Sequence, residues 1–156
     1  MKWTPVSLFI LTVSVCLATL AQSEDALSKN NMTFKKLIVE GKNESLDKML
    51  PKVGKLMFSS SFLIPFHGEI KGTKGGGQVV PFLLAKDKNG EEWIYLYTDE
   101  AELLKSIPGG SQYVEMGFAD IFALAKSDPK YGGVAINYAF FLPRELFAKA
   151  EQYKGK

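Results

Sequence analysis

The chain has 156 residues, 46% apolar and 23% charged, with 19 Lys+Arg against 17 Asp+Glu. That is room for one ordinary domain of globular composition; it excludes a disordered polar tract and a polytopic membrane protein. A net charge of +2 is too balanced for a chain that lives by gripping nucleic acid backbone, and one Cys with one His leaves no zinc cluster and no disulfide framework.

Met1 to Ser23 differs in kind from the rest. Lys2 supplies a short positive start, Val6 to Leu20 is apolar or small without a charge, and Ala18, Ala21 and Ser23 follow. This predicts a secretory signal peptide over 1–23, cut after Ala21 or Ser23. A membrane anchor is the rival, but the run is shorter than the roughly 20 residues a span needs. A lipid on Cys16 is the other, although Val15 precedes it where a small residue is wanted. Cleavage would leave a cysteine-free, secreted or periplasmic protein with no membrane contact. Asn31-Met32-Thr33 and Asn43-Glu44-Ser45 are formal glycosylation acceptors.

Residues 24–43 read as a flexible leader or frayed first element, since Ser, Asn, Asp and Lys dominate up to Lys36. The domain proper is expected over 44–156. Leu46, Met49, Leu50, Val53, Leu56 and Met57 make one apolar helical stripe, capped or kinked at Pro51. Residues 62–66, 79–84 and 93–97 then read as strands, the first two each carrying a proline that suits an edge, a start or a bulge. Asn89-Gly90 predicts a tight hairpin with positive φ at both residues, pairing 79–85 with 92–97.

Thr98, Asp99 and Glu102 form a capping-box pattern that opens a helix ending at Pro108-Gly109-Gly110. A short strand is expected over 113–116. Phe118, Ile121, Phe122 and Ala125 mark a further helix, 132–137 a strand, and Pro143 the first turn of a last helix carrying Leu146, Phe147 and Ala150 inward. The order predicts an α+β single domain, with a mixed, mostly antiparallel sheet packed by helices.

Chemistry is sparse. His67 is the only base of its kind, at a predicted strand end, with no Gly-x-Ser-x-Gly elbow to serve. With Glu69 it offers two metal ligands and no third. The run Gly72-Thr73-Lys74-Gly75-Gly76-Gly77 lacks the phosphate-loop spacing and precedes a strand rather than a helix, so it reads as a connecting loop. Glu91-Glu92 borders a turn, and Asp99, Glu100 and Glu102 sit at a helix start. Lys149, Lys154 and Lys156 read as a solvated helix end. No catalytic, cofactor-binding or metal-binding residues are assigned and no cofactor is expected.

Residues 46–150 resemble the N-terminal domain of the SseB family of bacterial proteins. The similarity runs through Phe62-Leu63-Ile64-Pro65-Phe66, Val80 to Asp87, the Asn89-Gly90 turn and Trp93-Ile94-Tyr95-Leu96-Tyr97. It continues through Thr98-Asp99-Glu100-Ala101-Glu102-Leu103, Phe118-Ala119-Asp120-Ile121-Phe122 and Gly133-Val134-Ala135-Ile136-Asn137, with Tyr138 where that family has proline. The resemblance implies an α+β fold without established catalytic activity; a signal peptide departs from its mostly intracellular members. The expectation is an exported, non-enzymatic binding domain that takes a protein partner or small ligand and no nucleic acid. The alternatives are a secretion-system component or chaperone, and a hydrolase working through carboxylates. A pocket joining Asp99, Asn137 and His67 would favour an enzyme, and an exposed aromatic face a partner surface.

Overall fold

A computed structural model describes residues 3–5, 10–11, 23–72, 74, 76, 78–80 and 82–155, with side chains from Lys29 onward except at 78 and 79. Signal cleavage and Cys16 lie outside the described residues. Two short strands, β1 (Trp3–Pro5) and β2 (Ile10–Leu11), precede helices α1 (Ser23–Glu40) and α2 (Leu46–Phe58). Then come β3 (Ser61–Phe66), β4 (Lys71–Gly72), β5 (Gln78–Val79), β6 (Leu83–Lys86) and β7 (Glu92–Leu96). The chain closes with α3 (Glu100–Ser106), β8 (Gln112–Gly117), α4 (Phe118–Ser127), β9 (Tyr131–Ile136), β10 (Phe140–Pro143), a 3-10 turn over Arg144–Leu146 and α5 (Phe147–Glu151).

This is a single-domain α+β fold. The main sheet has the order β1-β6-β7-β9-β10, antiparallel except for the parallel pair β7 and β9. The two-stranded β3–β8 sheet joins it through bridges at Leu63–Tyr97 and Phe66–Phe82. Strand alternation sorts the side chains. Phe62, Ile64, Leu84, Ile94, Val134 and Phe140 enter one core with the inner faces of α1, α2, α4 and α5. Tyr95, Tyr97, Ala85 and Ala135 face the other way, against Leu103 and Ile107 around α3. Leu63 and Tyr97 exchange backbone bonds of 2.8 and 2.9 Å, so this parity of β3 turns its amides away from β8. Pro65 has the same parity, which is why a proline costs β3 none of its β8 pairing. Among the described residues no helix is long and apolar enough to cross a membrane.

Three expectations are corrected. The stretch 24–43 is not a flexible leader: α1 occupies most of it, with Phe34 and Ile38 buried in the core. Its inward signal is short, Phe34, Leu37 and Ile38 at the end of a polar run, and the exposed Met32 and Val39 blur it as a stripe. The β6–β7 hairpin forms, but only Gly90 has positive φ, at 84°. Asp87 Oδ1 accepts from the Asn89 and Glu91 amides at 2.8 and 3.0 Å, and the Asp87 amide donates to Glu91 O. That local capture makes a three-residue loop ending in a left-handed glycine instead of the two-residue turn. Positive φ at two consecutive residues occurs elsewhere, at Asn137 and Tyr138, both 53°. Finally, Pro143 ends β10, a strand absent from the expected order, before the last helix begins at Phe147.

Candidate functional site

The parallel strands β7 and β9 bring their carboxyl ends side by side. The Asn137 amide donates to Leu96 O at 2.9 Å, and the Asn137 side chain clamps the next residue but one. Its Oδ1 accepts from the Thr98 amide at 3.0 Å, and its Nδ2 donates to Thr98 Oγ1 at 2.9 Å. The Thr98 hydroxyl in turn donates to Asp99 Oδ2 at 2.9 Å. Asp99 is the N-cap of α3, its Oδ1 accepting from the Glu102 amide at 2.9 Å, as its sequence position implies. Glu102 does not reach back to complete the box. It pairs with Lys105 at 2.6 Å and with Lys35 of α1 at 2.8 Å.

Lys35, which sequence reasoning passed over, and Asn31, read there only as a formal glycosylation acceptor, tie α1 to this junction. Lys35 Nζ stands 3.1 Å from Asp99 Oδ2. Asn31 Nδ2 donates to Ser61 O at 2.8 Å and Thr98 O at 3.0 Å, bridging β3 and the end of β7. Burial opposes ionisation of Asp99, but hydrogen bonds from the Glu102 amide, Lys35 and Thr98 outweigh it and hold its carboxyl below the usual range. Burial likewise opposes charge on Glu102, and Lys105 and Lys35 override it. Both groups are ionised braces: both Asp99 oxygens are engaged, and Glu102 Oε1 holds two lysines. A general acid needs the opposite tuning.

Beside this network the outer flank of α1 borders a groove of about 430 Å³, lined by Met32, Lys35, Lys36, Val39, Glu40 and Asp99. Met32 is 71% and Val39 59% exposed, on a helix whose opposite face is in the core. No family model, curated protein or solved structure matches this chain.

The other candidate residues disperse. His67 and Glu69 are exposed just beyond β3, at the strand end remote from Ser61 and Thr98, so Asp99 and Asn137 converge without His67. Among the described residues no three His, Cys, Asp or Glu side chains gather around a metal position. The glycine run spans the connection between the paired strands β4 and β5, with 73, 75 and 77 outside the described residues. Glu92 sits between Lys86 and Lys130 at 3.9 and 3.8 Å. Of the tail lysines, Lys149 pairs with Asp47, and Lys156 is outside the described residues. The aromatic residues of β7 and its end are largely covered: Tyr95 and the following Tyr97 are buried, and Tyr138 lies over Tyr95 with ring centres 4.4 Å apart. Burial, with Tyr97 and Asp87 adding to it, pushes the Tyr95 phenol up to about 12. Of the two glycosylation triplets, Asn31 has committed its amide nitrogen to the fold, while Asn43 is exposed in the α1–α2 connection.

Proposed function

We propose that this chain is an exported, non-enzymatic binding domain whose contact surface is the outer flank of α1. The carrying observation is the exposure of Met32 and Val39 beside a groove rimmed by Lys36, Glu40 and the Lys35–Asp99 pair. Exposed apolar side chains on an otherwise well-packed helix, framed by charge, are what a protein partner or apolar small ligand uses. Commitment of Asp99 and Glu102 to lysines and to the α3 cap supports a bracing part for them rather than acid–base work. The resemblance to the SseB N-terminal domain is compatible with this reading and adds no activity to it. Export rests on the leader sequence. Its removal would strip β1 from β6 and leave Leu83–Ala85 as a sheet edge, while among the residues whose side chains are described every buried core residue lies at or beyond Phe34.

The test combines Met32→Asp with Val39→Asp in the full chain, expressed in its own host. Wild type should retain a protein or small molecule identifiable by mass spectrometry, and the double variant should lose it with its melting temperature unchanged. Retention of the same molecule by the variant overturns the surface. The same spectra should show a mature chain starting at Gln22 or Glu24; an intact Met1 on cytosolic protein overturns export.

A further inference from the structure

Strand β8 pairs with β3 over its whole length, from Gln112 opposite Phe66 to Gly117 opposite Ser61, and among the described residues no strand pairs with its other edge. The direction of its free backbone groups follows from β3. Leu63 spends its N–H and C=O on Tyr97, so Phe62 and Ile64 spend theirs on Met116 and Val114. Opposite Leu63 and Pro65, Glu115 and Tyr113 are left with N–H and C=O pointing outward. Among the described residues the other edges of the full chain are blunted or short: β10 ends in Pro143, β1 in Pro5, and β2 and β4 are two residues each, β4 with an exposed Lys71. Six residues long, β8 contains neither proline nor lysine.

We propose that two copies of this chain associate through β8, antiparallel, with Val114 opposite its own counterpart. Residues facing each other across an antiparallel pair share a sheet face, so self-pairing about a twofold axis is centred on a residue. Two centres keep the most pairs within the strand. Centring on Glu115 sets two carboxylates directly opposite, which is unfavourable. Centring on Val114 sets Tyr113 opposite Glu115 twice, and these are the residues whose backbone groups are free. Val114 then meets itself in the non-hydrogen-bonded position, on the face that continues the core, and Gln112 meets Met116. The Tyr113 hydroxyl to Glu100 and the Ser61 hydroxyl to Glu115 hold the outer side chains without using these backbone groups. So short a seam falls well below the roughly 1,600 Å² of a standard interface, so the dimer is weak and concentration dependent.

Cysteine placement reads both the association and its register. In the full chain carrying Cys16→Ser, Val114→Cys should form a disulfide-linked dimer under mild oxidation, because facing Cα atoms at a non-bonded pair lie about 4.5 Å apart, within disulfide reach. Tyr113→Cys and Glu115→Cys, each two positions out of register with its own copy, should remain monomeric under the same conditions. Sedimentation of wild type should show a concentration-dependent dimer that Glu115→Pro abolishes, since that proline removes an outward N–H and spares the β3 bonds. Equal cross-linking at all three positions, or monomeric wild type at every concentration without a Val114→Cys dimer, overturns the proposal.

Discussion

Helices α1 and α2 are neighbours held by different forces. α2 buries Met49, Leu50, Val53, Gly54 and Met57, a full stripe that is its main anchor, with Asp47 paired to Lys149 outside it. α1 buries Phe34 and Ile38, half-buries Leu37, and takes the rest of its hold from Asn31 and Lys35 reaching the β7–α3 junction. A helix anchored by a stripe has its exposed side left to charged residues, as on α2. One anchored by two buried apolar side chains and a polar latch can leave Met32 and Val39 outward, and that flank is where a partner can sit.

The largest test of this contrast compares Phe34→Ala with Leu50→Ala. Phe34 is fully buried, with edge contacts to Phe62 and Phe140 at ring separations of 5.6 and 6.0 Å. Its truncation should cost about 3–5 kcal/mol, as much as or more than the ~2–5 kcal/mol for Leu50, with both read as urea midpoints at constant slope. A loss under about 1 kcal/mol at Phe34 would detach α1 from the core.

The polar half of the anchor comes next. Asn31→Ala strips a donor from the carbonyls of Ser61 and Thr98, which should cost about 1–3 kcal/mol if they stay dry. Asn31→Asp, which places an acceptor against the same carbonyls, should be no milder. If Asn31→Ala leaves the urea midpoint unmoved, water satisfies the two carbonyls and the latch carries little of α1.

These two residues show why the sequence was only partly readable. α2, β7, α4 and the α3 cap are written locally, in apolar spacing or in Asp99 preceding Glu102 by three. Asn31 and Lys35 act on Thr98 and Asp99 over separations of 67 and 64 residues, and no local pattern encodes that. The turns divide the same way. Asn89-Gly90 was legible as a hairpin but not by type, because Asp87 decides the loop from outside the pair. Asn137-Tyr138 takes its paired positive φ where Thr98 holds the Asn137 side chain, a tertiary cause. β10 was hidden because Pro143, which stops a strand, also looks like a helix start. The cap, read from the sequence as Asp99 or Thr98, is Asp99, and the α1 groove beside it was invisible until α1 existed.

The smallest expected effect is the pH dependence of the Lys35 latch. The carboxyls of Asp99 and Glu102 are held below the ordinary range despite their burial, so each favours the folded state above the unfolded carboxylate pKa of about 4. That contribution is lost as pH falls through the lower folded values. Lys35 is raised, chiefly by its hydrogen bond to Glu102 and against partial burial, with Asp99 adding to it; its share is present below about 10.4 and is lost as pH rises through the folded value. All three side chains retain some solvent contact, Asp99 at 40% and Lys35 at 33%, so screening limits the latch to about 1 kcal/mol or less. Lys35→Met keeps the aliphatic stem and removes the charge. Wild type should therefore lose more stability than Lys35→Met between pH 7 and about pH 3, by up to about 1 kcal/mol in urea titrations. The two chains should converge at the acid end, where Asp99 and Glu102 are protonated and the lysine has nothing to hold. Parallel pH profiles would mean that α1 is fastened by Phe34, Ile38 and Asn31 alone, and that Lys35 is free to serve the groove it lines.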